Sequence, residues 1–163
     1  MMLASGLFMQ SCNKDQDVQV AEETELQFNI TQTDFEFKGT ETVPECQDLS
    51  MDYVVFDFAG TTYISPIMFA NGSFLTKTVK LQAGAGTYAL TSFLVYHDVL
   101  PIGQGSEDVL IKAAPAVGSE YHDLMVNPLN MDITVEAFKK AQITVDVLCF
   151  EDLMYEDFGF TWF

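Results

Sequence analysis

The sequence predicts an all-β protein, an antiparallel Greek-key β-sandwich with one short helical turn. Three observations lead to this prediction. Roughly eight short segments alternate apolar and polar residues, which is the period of a half-buried strand. Glycine and asparagine pairs separate several of these segments, as turn residues do between paired strands. The chain shows no internal repeat, no heptad pattern and no apolar run of membrane-spanning length.

The strands are predicted in order from their alternation. They are "ELQFNI" (25–30), "DFEFKGT" (34–40), "SMDYVVFDF" (50–58), "TTYIS" (61–65), "PIMFA" (66–70), "SFLTKTVKL" (73–81), "GTYALTSFLVYHD" (86–98), "SEDVLIKAA" (106–114), "MDITVEAF" (131–138), "ITVDVLCF" (143–150) and the aromatic "YEDFGFTWF" (155–163). Ala59-Gly60 and Asn71-Gly72 predict two tight hairpins, because such pairs suit turns that need positive φ. A third hairpin is expected through "KKAQ" (139–142).

One segment reads differently from the strands around it. "GSEYHDLMVNP" offers Ser119 as an N-cap and stops before Asn127-Pro128. We expect one or two helical turns there.

The end of the chain, "FGFTWF", is unusually apolar. Strict alternation would place Phe158, Phe160 and Trp162 on one face of a last core strand. A second interpretation is that the native protein continues beyond Phe163. A third is an exposed aromatic strip, with Trp162 and Tyr155 as candidates for stacking on sugar rings or receiving a partner.

The first eleven residues have the apolar character of a secretory leader, and Ser11 directly precedes Cys12. This stretch resembles the box of bacterial lipoproteins, in which cleavage before the cysteine precedes its acylation. Met9 at position −3 and the missing basic start depart from that pattern, so we expect the true start to lie upstream of Met1. The alternative is that this stretch is an N-terminal strand, frayed or buried.

The resemblance implies three parts: a signal peptide (1–11), lipidated Cys12 with an acidic tether (12–25), and one β-sandwich domain (26–163). "NKDQD" after Cys12 resembles the flank of Bacteroidota lipoproteins that reach the cell surface. The implied location is the outer membrane, with surface exposure. Attachment to the membrane would rest on the lipid alone, since the acidic chain is repelled by anionic lipid.

A second resemblance lies in "VKLQAGAGTYAL" (79–90). It is similar to the L-x-A-G-x-Y-x-L element of transthyretin-like sandwiches, a group that overlaps immunoglobulin-like folds in architecture. The resemblance implies that Gly84 and Gly86 permit a tight turn, while Tyr88 and Leu90 point inward. The extra Ala85-Gly86 departs from the family pattern.

Composition limits the function classes. The 163 residues carry a formal net charge of −17, with 24 acidic and seven basic side chains, all of the latter lysines. Such a chain is a poor partner for nucleic acid, because phosphate binding needs positive charge. No cofactor is expected.

Two cysteines remain besides Cys12. Cys149 shares a strand face with Val145 and Val147, so it is expected to be buried. A Cys46–Cys149 disulfide would contribute about 4 kcal/mol by closing a long loop. Two buried thiols are the open alternative.

Candidate chemistry is sparse. Tyr-His-Asp occurs at 96–98 and at 121–123, without the spacing that puts two ligands on one helix face. Asp98, Glu107 and Asp108 are calcium candidates that lack the D-x-D-x-D-G ladder. No G-x-S-x-G nucleophile motif occurs, so no catalytic residue is assigned and an enzyme is not expected.

Three functions from different classes follow. The first is a lipid-anchored, non-enzymatic binding or accessory module of the cell envelope, with a glycan or a protein as its partner. The second is a fimbrillin-like structural subunit that assembles by strand exchange. The third, and least supported, is a metal-dependent hydrolase built on the two Tyr-His-Asp sequences.

Overall fold

The computed structural model describes residues 23–33, 45–99, 105–151 and 155–161. In this part of the chain the regular structure is almost entirely β, which confirms the predicted class. No helix in these four ranges has the length and apolar character of a membrane span. The elements are β1 (Glu25–Gln32), β2 (Tyr53–Phe58), β3 (Thr61–Ala70), β4 (Ser73–Thr76), β5 (Val79–Lys80), β6 (Gly86–His97), β7 (Val109–Ala113), a 3₁₀ turn (His122–Leu124), β8 (Asp132–Val135) and β9 (Lys140–Cys149).

Seven of these strands close into one ring. The order is β2-β3-β4-β1-β9-β7-β6, and β6 also pairs with β2. The short strands β5 and β8 pair with β1 and β6. β3 and β9 change neighbours along their length, so the ladder continues from one side of the ring to the other. This ring differs from the predicted Greek-key sandwich, in which two separate sheets would face each other.

The first and last strands run parallel, which corrects the wholly antiparallel prediction. Their register extends from Glu25 opposite Lys140 to Gln32 opposite Val147. β1 and β9 lie near opposite ends of the chain, so no tight turn fixes their relative direction. Sequence alternation carries no information about that direction.

Two of the three predicted hairpins are confirmed. Ala59 and Gly60 have φ of 52° and 75°, and Asn71 and Gly72 have φ of 53° and 80°, the positive pairs of type I′ turns. The third hairpin is wrong. β8 pairs with β6, whereas β9 pairs with β1 and β7, although a turn through Phe138 connects them. Long-range pairing overrides adjacency in sequence at this point.

The helical segment is shorter than expected. It is a single 3₁₀ turn, entered from Tyr121 without a side-chain cap. Ser119 is therefore not an N-cap, because its buried hydroxyl finds no partner among the described groups. Its backbone instead closes a turn, with the Ser119 N–H donating to the Ala116 carbonyl (3.1 Å).

The predicted C-terminal strand is wrong over residues 155–161. Residues 155–159 form a turn in which Gly159 has φ of 78°. The Phe160 N–H donates to the Tyr155 carbonyl (3.0 Å) and the Gly159 N–H to the Glu156 carbonyl (2.8 Å). This is the bond pattern of a Schellman motif. The predicted strand at 34–40 lies outside the described residues.

Apolar residues occupy both faces of the ring. Inside, the Phe28 ring lies 5.0 Å from both the Phe56 and Phe93 rings in edge-to-face contact. A second, outer cluster covers the outward faces of β7 and β9. Its buried members are Leu110, Ala113, Tyr121, Met125, Leu148, Phe150 and Phe158. The C-terminal turn and the 3₁₀ segment form its outer layer.

Candidate binding cleft

A cleft of about 450 Å³ lies where the C-terminal turn approaches the outer face of the ring. Its floor consists of outward-facing side chains of β2, β3, β6 and β7, and its wall is the turn itself. This volume falls within the range of small-molecule sites. The lining residues are Val55, Asp57, Thr62, Thr91, Ser92, Leu94, Leu110, Ala116, Gly159, Phe160 and Thr161.

A polar row crosses the floor of the cleft. Asp57 on β2 is in register with Thr62 on β3 and with Ser92 on β6. The Thr62 hydroxyl donates to the Asp57 carboxylate (2.5 Å). The β2–β6 register shifts just after Asp57, so Thr91 is the extra residue of a bulge. Bulges redirect side chains, and this one adds a second β6 hydroxyl to the cleft beside Ser92.

Phe160 supplies the aromatic wall. The Ala116 N–H donates to the Phe158 carbonyl (2.9 Å), which holds the turn against the loop after β7. A side chain on Gly159 would place its Cβ 3.1 Å from Ser119 and 3.2 Å from Ala116, and its φ is left-handed. Glycine is therefore required there, and it positions Phe160 half-buried beside Phe158, with ring centroids 5.9 Å apart.

The chemistry of the cleft is that of recognition. One carboxylate and several hydroxyls face an aromatic ring and an apolar floor, and no Lys, His or Cys occurs among the described lining residues. These groups bind hydroxyls and apolar ring faces. The set contains no paired nucleophile and base, which covalent catalysis requires.

Tyr155 lies on the far side of Phe160. It lines a second depression of about 470 Å³ with Glu156, Gly159, Phe160 and Thr161. Its hydroxyl donates to Glu156 (3.2 Å), and the negative charge of Glu156 raises the pKa of Tyr155. Of the two predicted stacking aromatics, Tyr155 thus borders the cleft region, and Trp162 lies outside the described residues, as does Cys12.

The calcium candidates are not assembled into a ligand set. Asp108 accepts hydrogen bonds from the Gly105 N–H (2.6 Å), the Tyr53 hydroxyl (2.8 Å) and the Val99 N–H (3.3 Å). The Gly105 bond is the main cause that lowers the pKa of Asp108. Asp98 has a buried Oδ1 without a partner among the described groups, and Glu107 is exposed. Within the described ranges, no three His, Cys, Asp or Glu side chains are grouped to hold a metal.

The histidines form local pairs. His97 Nδ1 lies 2.9 Å from Asp52 Oδ2 and 3.1 Å from Ser50 Oγ. A catalytic triad places serine and carboxylate on opposite ring nitrogens, whereas here both contact the same nitrogen. His122 Nδ1 contacts Asp123 (3.1 Å).

Cys46 and Cys149 form a disulfide, with their Cα atoms 5.0 Å apart. The nearly buried Lys112, which sequence analysis did not single out, directs its Nζ toward both sulfurs. Lys112 and Cys149 are register partners on β7 and β9.

Sequence reasoning did not identify the cleft residues Asp57, Thr62, Thr91 and Ser92. A usable signal was present in "YVVFDF", because Val54 and Val55 are apolar on both faces of β2. Strands that are apolar on both faces are covered on both faces. Asp57 is the one carboxylate in that covered strand, which marks it for attention.

No protein-family model matches this chain, and no curated protein matches it. Among solved structures, the crystal structure of a leucine-rich repeat protein from Bacteroides thetaiotaomicron is similar to it, with a TM-score of 0.46 and 15% sequence identity. The match covers 79% of this chain, which spans 14% of that protein.

Proposed function

We propose that this protein is a lipid-anchored, non-enzymatic binding module of the cell envelope, and that it binds a neutral glycan in the cleft. The observation that carries the proposal is the combination of the Asp57 carboxylate, the Thr91 and Ser92 hydroxyls and the Phe160 wall in one cleft of about 450 Å³. Sugars present hydroxyls at their edges and C–H groups on their faces. The cleft offers a partner for each.

Charge favours a neutral ligand over an anionic one. The chain carries a net charge of −17, and Asp57 lies in the floor of the cleft. An anionic ligand would meet repulsion both at long range and on contact. A neutral oligosaccharide meets neither.

The location is proposed from the sequence. The Ser11-Cys12 box supports a lipid anchor at Cys12 in the outer membrane, with surface exposure. Cys12→Ser is expected to release the full-length protein from the membrane fraction of its host. Unchanged fractionation would contradict the anchor without affecting the glycan proposal.

The relation to transthyretin-like Greek-key sandwiches is also a proposal. It rests on residues 79–90, where Leu90 is fully buried and the Tyr88 hydroxyl donates to the Gly84 carbonyl (3.2 Å). A Cβ on Gly86 would lie 2.9 Å from the Tyr88 hydroxyl, so glycine there accommodates the ring. Neither Gly84 nor Gly86 adopts positive φ.

The fimbrillin-like subunit remains the alternative. Strand exchange requires a strand with an unpaired edge to receive the donor. Each ring strand has a neighbour on both sides, and β8, which pairs with β6, spans four residues. The binding module is therefore the function that we favour.

The test is calorimetric titration of a panel of neutral oligosaccharides into the wild-type protein and three variants. Phe160→Ala is expected to weaken binding about tenfold or more, because it removes the aromatic wall. Thr91→Ala is expected to weaken it by a factor of about five, the loss of one hydrogen bond.

Thr87→Ala is the matched control, since Thr87 is exposed on the same strand and bonds Thr134 outside the cleft. It should leave affinity unchanged. Binding that survives both cleft substitutions would place the ligand elsewhere. No binding to any neutral oligosaccharide in the panel would overturn the glycan proposal.

A further inference from the structure

The Cys46–Cys149 disulfide is chemically asymmetric. Cys149 is 3% exposed, whereas Cys46 lies in the exposed segment that precedes β2. A thiolate must approach the sulfur that it attacks from the open side, so access decides which sulfur reacts. In this protein that sulfur is the one on Cys46.

The buried sulfur is the one with the strong hydrogen-bond donor. Lys112 Nζ lies 3.3 Å from Cys149 Sγ and 3.7 Å from Cys46 Sγ, and Lys112 itself is 5% exposed. An ammonium group at this distance favours a thiolate over a thiol. A leaving thiol with a lower pKa departs faster in thiol–disulfide exchange.

We propose that Cys46–Cys149 is a site of thiol–disulfide exchange with an external dithiol, with Cys46 as the attacked sulfur and Lys112 holding the Cys149 thiolate that leaves. This site is independent of the cleft and of the proposed glycan. Its partner is defined by chemistry: a reductant with two neighbouring thiols.

The steps balance as follows. A thiolate of the dithiol attacks Cys46 Sγ, a new S–S bond forms to Cys46, and the Cys46–Cys149 bond breaks with its electron pair on Cys149. The second thiol of the partner, once deprotonated, then attacks the partner's own sulfur in the mixed disulfide. This releases Cys46 as a thiolate that takes up a proton. The partner leaves oxidised to a disulfide, and this protein has gained two electrons.

Reduction would also detach a segment from the ring. Cys46 joins residues 45–52, which lead into β2, to the end of β9. The Gln32 side chain, which donates to Cys46 Sγ (3.4 Å), lies at the end of β1 on the same side. The disulfide thus ties the entry to β2 to two other strands.

The first test maps the attacked sulfur. The oxidised protein is mixed with a monothiol, quenched with acid and digested, and the mixed disulfide is located by mass spectrometry. The expected adduct lies on Cys46. An adduct on Cys149, or equal amounts on both, would overturn the proposal.

The second test measures the role of Lys112. The rate constant for reduction by dithiothreitol is expected to fall about tenfold in Lys112→Met. Lys77→Met is the control, because Lys77 is exposed and removing its charge changes the net charge equally. Equal rates in wild type and Lys112→Met would contradict the role of the ammonium group.

Lys112→Met buries a new side chain and has to be checked for folding. Cys46→Ser keeps Lys112 and leaves Cys149 as a free thiol. Its pKa, followed by thiolate absorbance, is expected below the ordinary value of about 8.5. A Cys149 pKa at or above that value would overturn the proposal whether or not Lys112→Met folds.

Discussion

The interior of the ring and the outer cluster contain similar residues but are built differently. Inside, Phe28, Phe56 and Phe93 come from three strands and alternate with outward residues. Outside, Phe158 and Tyr121 come from irregular segments that lie over β7 and β9. The interior is enclosed by strand ladders, whereas the outer cluster is enclosed by two turns held through a few hydrogen bonds. The candidate cleft lies at the edge of the outer cluster.

The difference teaches where binding surfaces arise on such a fold. A closed ladder leaves no gap between neighbouring strands, so its interior is filled by side chains. A segment that lies over the ring leaves a gap at its border, and that gap is the cleft. Segments of this kind also open more easily than ladders, because fewer buried contacts hold them.

The largest expected effect comes from removing a ring in each region. Phe93→Ala is expected to cost about 3–5 kcal/mol and to destabilise every strand, because the residue is fully buried within the ring. Phe158→Ala, also fully buried, is expected to cost about 3 kcal/mol, since the turn above it can partly collapse. Urea unfolding measures both costs.

Hydrogen exchange separates the two variants. Phe158→Ala should speed exchange at the Ala116 and Phe160 amides while the amides of β1 and β9 remain protected. Phe93→Ala should speed exchange throughout. If Phe158→Ala exposes the ring amides as much as Phe93→Ala does, the two regions form one cooperative unit and the comparison fails.

A smaller effect is expected at Asp146, which ties the loop after the 3₁₀ turn to β9. Its buried carboxylate accepts from the Val126 N–H (3.1 Å), the Asn127 N–H (2.8 Å) and the Asn127 side chain (3.2 Å). Asp146→Ala should cost about 2–3 kcal/mol by leaving these donors without their acceptor. Asp132→Ala, at an exposed strand position, should cost less than about 0.5 kcal/mol in the same urea titration.

Sequence reasoning succeeded where the determining signal is local. Asn71-Gly72 and Ala59-Gly60 specify their turns through their own φ preferences, so the hairpins around them could be predicted. The pairing of β9 with β1 depends on the whole chain, and no short pattern encodes it. Phe158 and Phe160 alternate as a strand would, yet Gly159 between them turns the chain, because its left-handed φ allows close packing on Ala116.

The smallest effect at neutral pH, and the one that depends most on conditions, is expected at Tyr53. Burial, followed by the hydrogen bond to Asp108, raises the pKa of Tyr53 well above its ordinary value near 10. The folded state therefore keeps a proton that the unfolded chain releases as the pH rises past about 10, and stability is lost in that range. Below that pH both states are protonated, so this contribution does not change.

Tyr53→Phe tests whether this loop contact behaves like the other attachments to the ring. Thermal melts should show a Tm lower by a few degrees at neutral pH and a shallower loss of stability above about pH 10. Tyr88→Phe also removes one tyrosine hydroxyl bond, that to the Gly84 carbonyl, but it should retain the alkaline loss of the wild type. Parallel losses in Tyr53→Phe and the wild type would mean that other groups control alkaline unfolding. A shallower loss in Tyr53→Phe alone would show that the loop at Asp108 is held by a proton on Tyr53, whereas the outer cluster is held by packing.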